Sequence, residues 1–200
     1  MQALTREELT KFLTACLALS EQTWLMALMA VDHGFRVSEL CGRWAVKRVK
    51  AGKGKKGKKI RYFHKGILAR EVRDGYISIR ALKGSENARE PLVSNPNPLF
   101  DERTALEKLV LITPPNEPLF KLERTTVWRH FQRAGRAAGI ALSSAHVRAM
   151  KHTLGTLTAE KVPVKVLQKR MRHKNPKSTM AYYDVSDERV ASLIEAALEL

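Results

Sequence analysis

Eight consecutive apolar residues, Trp24 to Val31 (WLMALMAV), constrain this chain more than any other stretch. A helix of that composition is apolar all round, so in water it is stable only when other elements enclose it on most sides. We therefore expect it at the centre of the core, ending near Gly34, because glycine suits the turn that closes a helix. The preceding segment supplies one enclosing layer. Thr5-Arg6-Glu7-Glu8 is a capping-box pattern, and Leu9, Phe12, Leu13, Cys16 and Leu17 recur at helical spacing on one face. Two hundred residues at 44% hydrophobic are enough for one full-sized core, so a single domain over 1–200 is expected. The two cysteines, Cys16 and Cys41, fall in apolar patterns without paired spacing and read as buried free thiols.

Charge narrows the partner. Lysine and arginine number 36 against 20 acids, a formal charge of +16, which favours nucleic acid or an anionic membrane surface. The membrane is the poorer choice. No apolar run approaches the ~20 residues of a spanning helix, and MQALTREELTKF lacks the plan of a signal peptide, so the chain is expected in the cytoplasm. From Leu40 to Arg70 there are twelve basic residues and no acid, +12 of the +16. Its centre, Gly52 to Lys59, alternates glycine and lysine with no apolar face to bury. This basic insertion, about 45–70, is expected to be a mobile loop or loosely ordered hairpin. Lys53, Lys55, Lys56, Lys58, Lys59 and Arg61 suit phosphate contact without base reading, and a solubilising loop is the alternative.

The remaining punctuation predicts an α+β, mainly α-helical fold with a small antiparallel β-sheet. Gly75–Ile79 alternates as a strand, Lys83–Asn87 has turn chemistry, and Arg89–Val93 returns, making a β-hairpin with Lys83 near its tip. Asp101 caps a helix containing Leu106, Leu109 and Val110, which Pro114-Pro115 ends. Thr125 or Thr126 starts another, with Val127, Phe131 and Ala134 on its apolar side, Arg129, Arg133 and Arg136 away from it, and Gly139 as its stop. Pro163 fits the first turn of a helix burying Val166, Leu167 and Met171, and Ser186 caps a last helix running through Leu198.

The chemistry concentrates between Ala145 and Val185. Arg148, Lys151 and His173 stand upstream of Tyr182-Tyr183, a set that can hold a phosphodiester, neutralise its developing charge and attack it with a phenol oxygen. Arg36, in Gly34-Phe35-Arg36-Val37-Ser38-Glu39-Leu40, stands where a buried helix meets the next and is directed towards a cleft; taken alone it reads first as a salt bridge to Glu39.

These stretches resemble the catalytic domain of the tyrosine recombinases, the phage-integrase family. LTREEL…LMALMAVDHGFRVSEL looks like its opening, in which a G-(L/F)-R-(I/V)-x-E-L turn carries the first catalytic arginine, here Arg36. Arg172 to Val185 is similar to the ending L-G-H-x5-T-x-x-Y-x-(H/D)-V, with His173 nine positions before Tyr182, which makes Tyr182 the nucleophile by position. Lys151-His152-Thr153-Leu154-Gly155-Thr156 overlays R-H-T-(F/L)-(A/G)-T, which puts Lys151 where the family has its second arginine and Arg148 where it has histidine. A gapped register would keep His146 as that histidine. The hairpin lysine of the family corresponds to Lys83, with Lys53 to Lys59 as runner-up.

The resemblance, spanning Leu4 to Val185, implies the tyrosine recombinase catalytic-domain fold and site-specific strand transfer on double-stranded DNA. It further implies a 3′-phosphotyrosyl intermediate, no cofactor or metal, a homotetramer on DNA, and a nucleoid-associated protein. In that mechanism Arg36, Arg148 and Lys151 bind the phosphate, His173 hydrogen-bonds it or helps deprotonate the tyrosine, and Lys83 protonates the leaving 5′-hydroxyl. The terminal helix either packs on its own domain or docks on a neighbouring protomer. No DNA-clamping domain precedes the catalytic pattern, so a fragment or a minimal protein is expected. A cleavage-deficient DNA-binding relative and a type IB topoisomerase-like relaxing activity are the alternatives.

Overall fold

Thr5 opens the first helix as its capping box predicts, accepting from the Glu8 amide while Glu8 accepts from the amide of Thr5. The computed structural model describes residues 2–49, 58–79, 87–159, 161–183 and 195, with backbone alone for 43–49 and 58–64. Helix α1 (Arg6–Leu19) buries Leu9, Phe12, Leu13 and Cys16. Leu17, expected on the same face, is 44% exposed, because it falls on the flank of the stripe rather than at its middle. Ser20 then caps α2 (Glu21–His33), whose residues Trp24 to Val31 are all buried, and Gly34 closes it at φ 61°. Helix α2 packs against α1 on one side and against α6 (Val147–Thr158) on another, so the all-apolar helix is enclosed as its composition requires.

After the one-turn helix α3 (Val37–Leu40) comes the basic insertion, whose flanks take the hairpin rather than the loop of the two expected forms. Strands β1 (Cys41–Val49) and β2 (Lys58–Gly66) pair antiparallel from Cys41↔Gly66 to Val49↔Lys58, so the segment is a nine-residue ribbon on each side rather than a loose loop. Glycine and lysine dominate only 50–57, outside the described residues. The flanks carry Trp44, Val46, Ile60, Tyr62 and Phe63, β-formers that sequence reading undervalued beside the charge. Gly66 closes the ribbon at φ 76°, and a Cβ there would lie 2.4 Å from the Leu40 carbonyl oxygen. Gly66→Ala is therefore expected to cost at least about 1–2 kcal/mol from the left-handed backbone alone. It should appear in thermal unfolding as a Tm lowered by about 2–4 °C per kcal/mol.

A second, three-stranded sheet follows, so the described residues form two small antiparallel sheets where one was expected. β3 (Val72–Arg73) pairs with β4 (Tyr76–Ile79), which pairs with β5 (Ala88–Pro91). The turn carrying Lys83 lies outside the described residues. A buried ionic network braces β5. His33 on α2 bonds Glu90 through Nδ1 and Glu102 through Nε2, each at 2.7 Å, and Arg170 reaches Glu90 (3.3 Å) and the Asp32 carbonyl (2.6 Å). Glu102 stands at the start of α4 (Glu102–Leu111), capped by Asp101 as predicted.

Helix α5 (Arg124–Ala137) begins a residue or two before Thr125 or Thr126 and buries Val127, Phe131 and Ala134; Phe131 meets Phe12 edge-on with centroids 5.4 Å apart. Arg129, Arg133 and Arg136 are exposed. Helix α7 (Val164–Met171) takes Pro163 as its N-cap and buries Leu167 and Met171, but Val166 is 53% exposed, pointing off the apolar side. The short α8 (Lys177–Met180) ends just before Tyr182 and Tyr183, which lie in the turn after it rather than on the helix. The predicted terminal helix from Ser186 lies outside the described residues. Both cysteines are buried free thiols, and burial pushes Cys41 up to about 12.

Candidate active site

Four places on the chain converge on one open cleft of about 720 Å³: the turn after α2, the start of α5 at Arg124, one face of α6, and the segment from the end of α7 to Tyr182. At the first, the left-handed turn at Gly34 lets the stem of Lys151 pass close by, since a Cβ there would sit 3.3 Å from Lys151 Cγ. Arg36 follows as N-cap of α3. Its amide donates to Glu39 Oε2 (2.7 Å) and its guanidinium to Oε1 (3.2 Å), while nearly half of the side chain stays exposed to the cleft. The salt bridge and the cleft position, alternatives from sequence, are both realised.

On α6, Arg148, Lys151 and His152 lie three and four residues apart, so the helical repeat aligns them on one face. All three line the cleft. Thr153, on the opposite side, is fully buried and accepts from the Leu4 amide at 3.0 Å, which fixes the rotation of the helix. His146, the alternative to Arg148, instead caps α6 by accepting from the Ala149 amide (3.1 Å) and lines an adjacent smaller hollow. Lys151 Nζ donates to the Met171 carbonyl at 2.6 Å. Burial, with the Arg172 and Arg36 guanidiniums nearby, pushes this lysine down to about 8.

Arg172 ends α7 in the left-handed region at φ 54°, the conformation for which the resembled motif uses glycine. It is held there by Glu39 Oε2 at 3.0 Å and by the face of Phe35, 5.0 Å from the ring centroid. Glu39 thus joins Arg36 to Arg172. Next comes His173, whose Nδ1 is 3.0 Å from the Oγ1 of buried Thr179, the threonine of the x5-T spacing. Burial, then Lys151 and Arg36, lower the His173 pKa, so the ring is held towards its neutral form.

Tyr182 lies flat against α6 at Gly155, where an added Cβ would come within 2.4–2.6 Å of three of its ring atoms. Its hydroxyl is 3.2 Å from His152 Nδ1, and burial raises its pKa. Tyr183 points elsewhere and donates to the Val162 carbonyl at 2.6 Å. The cleft therefore collects Arg36, Arg124, Arg148, Lys151, His152, His173 and Tyr182, with no carboxylate among its described lining residues.

Lys53, Lys55, Lys56 and Lys83 lie outside the described residues, and Lys58, Lys59 and Arg61 are described only as backbone in β2. Sequence reading passed over Arg124, His152 and Arg172. His152 was signalled by its place beside Lys151, one turn from Arg148; Arg124 and Arg172 are brought in by tertiary packing. Among the described residues no group of three or more His, Cys, Asp or Glu could hold a metal ion, and no helix is long and apolar enough to cross a membrane.

Residues 2–189 match the family profile described as the phage integrase family. The tyrosine recombinase XerA of Thermococcus kodakarensis is 26% identical over 204 residues, a match covering 98% of this chain and 62% of that protein. The chain thus spans a little under two thirds of that relative. Among solved structures, the XerH site-specific recombinase bound to difH substrate in a pre-cleavage complex superposes with a TM-score of 0.67 at 18% identity, over 100% of this chain and 54% of that one. The catalytic domain of bacteriophage HP1 integrase superposes with a TM-score of 0.60 at 15% identity, covering 98% of this chain and 94% of that one. At these identities the structural likeness speaks for the fold.

Proposed function

This chain belongs to the phage integrase family, and from that premise we propose that it is the catalytic domain of a site-specific DNA recombinase that cleaves and rejoins strands through a 3′-phosphotyrosyl intermediate. The observation that carries the proposal is the convergence of Tyr182 with four cationic side chains and two histidines in one cleft that no carboxylate lines among the described residues. A phosphodiester gains negative charge as it becomes pentacoordinate, and preorganised cations stabilise that charge without reorganising. Arg36, Arg148 and Lys151 grip the phosphate, and His173, with Nδ1 held by Thr179, donates to it through Nε2. Tyr182 attacks phosphorus, and the 5′-oxygen leaves as a hydroxyl protonated by Lys83. The covalent link conserves the phosphodiester energy, so rejoining needs no nucleotide or other cofactor.

The partner is double-stranded DNA, contacted by Lys53, Lys55, Lys56, Lys58, Lys59 and Arg61 of the basic insertion. Exchange between two duplexes breaks four strands, and one tyrosine per protomer serves one strand, so four copies assemble on DNA. The place of action is the cytoplasm, at the nucleoid. Replacing these six basic residues by glutamine is expected to weaken binding to all sequences alike. It should also flatten the dependence of log K on log salt by up to about 5, since each neutralised phosphate contributes about 0.9. A filter-binding salt series reads both.

The experiment for the whole reading is covalent capture on nicked duplex DNA carrying candidate sites. A denaturation-resistant adduct supports strand transfer, and joining of two different duplexes separates recombination from simple relaxation. Absence of any adduct on DNA that the protein binds would sink the reading.

A further inference from the structure

We propose that His152 is the general base that takes the phenol proton of Tyr182, a role that rests on the strand-transfer reading above. Nothing in the sequence resemblance assigned this residue a part in the reaction. The geometry does: its Nδ1 lies 3.2 Å from the tyrosine oxygen and the two rings pack tilted, with centroids 5.3 Å apart. That separation is within the hydrogen-bond reach required of a base.

Elimination among the lining residues leads to the same group. Arg36, Arg124 and Arg148 are permanently protonated guanidiniums and cannot accept a proton. Arg148 stands where the resembled motif has a histidine, so a proton acceptor is missing from that place. Lys151 is turned to the Met171 carbonyl as a donor, at 2.6 Å. His173 has its Nδ1 tied to Thr179, at 3.0 Å. His152 alone among the described lining groups has a ring nitrogen on the nucleophile, and burial raises the pKa of that phenol, so attack at neutral pH requires an acceptor. The charged and titratable groups that line the cleft with it are Arg148 and Lys151 on its own helix, Arg36 at α3, Arg124 on α5, His173 after α7 and Tyr182 itself.

The step balances. With its proton on Nε2, His152 presents the Nδ1 lone pair; the phenol O–H bond breaks, its proton goes to Nδ1, and the phenolate oxygen forms the O–P bond as P–O5′ breaks. The 5′-oxygen takes a proton from the acid on the other side of the phosphate. One phosphodiester monoanion is exchanged for another, and in rejoining the imidazolium returns its proton to the tyrosine.

The test compares His152→Ala and His152→Gln with the wild-type chain in covalent capture on nicked duplex, across a pH series and with added imidazole. His152→Ala is expected to bind DNA normally, to form adduct about 10²–10³-fold more slowly, the usual range for a lost base, and to be partly rescued by imidazole. His152→Gln, which keeps a hydrogen bond without basicity, should remain slow and gain nothing from imidazole. Wild-type-like rates in the glutamine variant, or adduct formation by the alanine variant within a few-fold of a cleaving wild type, would overturn the base while leaving strand transfer intact. A wild type that binds the duplex and forms no adduct would overturn strand transfer itself, and this role with it.

Discussion

Tyr182→Phe is expected to abolish the covalent adduct on nicked DNA, and Tyr183→Phe to leave it. The two tyrosines are adjacent, yet only one hydroxyl lies in the cleft: that of Tyr182 is 3.2 Å from His152, while that of Tyr183 donates to the Val162 carbonyl. Removing the first takes away the attacking atom, for which no neighbouring group substitutes. Removing the second deletes one hydrogen bond, a loss of about 1 kcal/mol of stability. The Tyr182 ring also rests on Gly155 without a hydroxyl contact to α6's backbone, so phenylalanine should seat in the same place and DNA binding should survive. Gel-resolved adduct formation beside a binding assay checks both halves, and an adduct retained in Tyr182→Phe would remove the nucleophile from this account.

Lys151→Ala is expected to slow adduct formation by about 10²–10³-fold, the range for deleting one preorganised donor to a developing charge. The pH dependence is the sharper signature. Lysine is needed as a cation, and burial with Arg172 and Arg36 lowers its pKa to about 8. The depressed value means that the cation is fully present below that point and is lost as pH rises through it, so cleavage should fall on the alkaline side from about pH 8. Arginine cannot titrate in this range. Lys151→Arg should therefore retain cleavage and lose that alkaline limb, although the fork must fit beside Arg172. A wild-type profile flat to well above pH 8 would mean that Lys151 is not the charge that matters.

The helical frame was legible because its signals are local. The Thr5 capping box, the all-apolar Trp24–Val31 run and Asp101 each specify a helix from neighbouring residues, and each stands where read. For the basic insertion the sequence left loop and hairpin open for a related reason: its charge dominates composition, while its strands are defined by pairing between Cys41–Val49 and Lys58–Gly66 across a gap that no local pattern announces. Leu17 and Val166 were misassigned because spacing locates an apolar stripe but not its edges, which depend on what packs beside it.

The sequence by itself determined the residue types and spacings that matter: Arg36 after a glycine turn, Arg148 and Lys151 one helical turn apart, and His173 with Thr179 and Tyr182 at offsets of six and nine. Those relations follow from chain geometry, so they can be read without coordinates. Only the tertiary structure decided that Tyr183 turns away to the Val162 carbonyl and that His152 meets the Tyr182 hydroxyl. It also decided that Arg172, in a glycine's conformation, is held by Glu39 from a helix 133 residues earlier in the chain. Such contacts join distant segments through packing and burial, and no periodicity along the chain encodes which buried side chains will face one another.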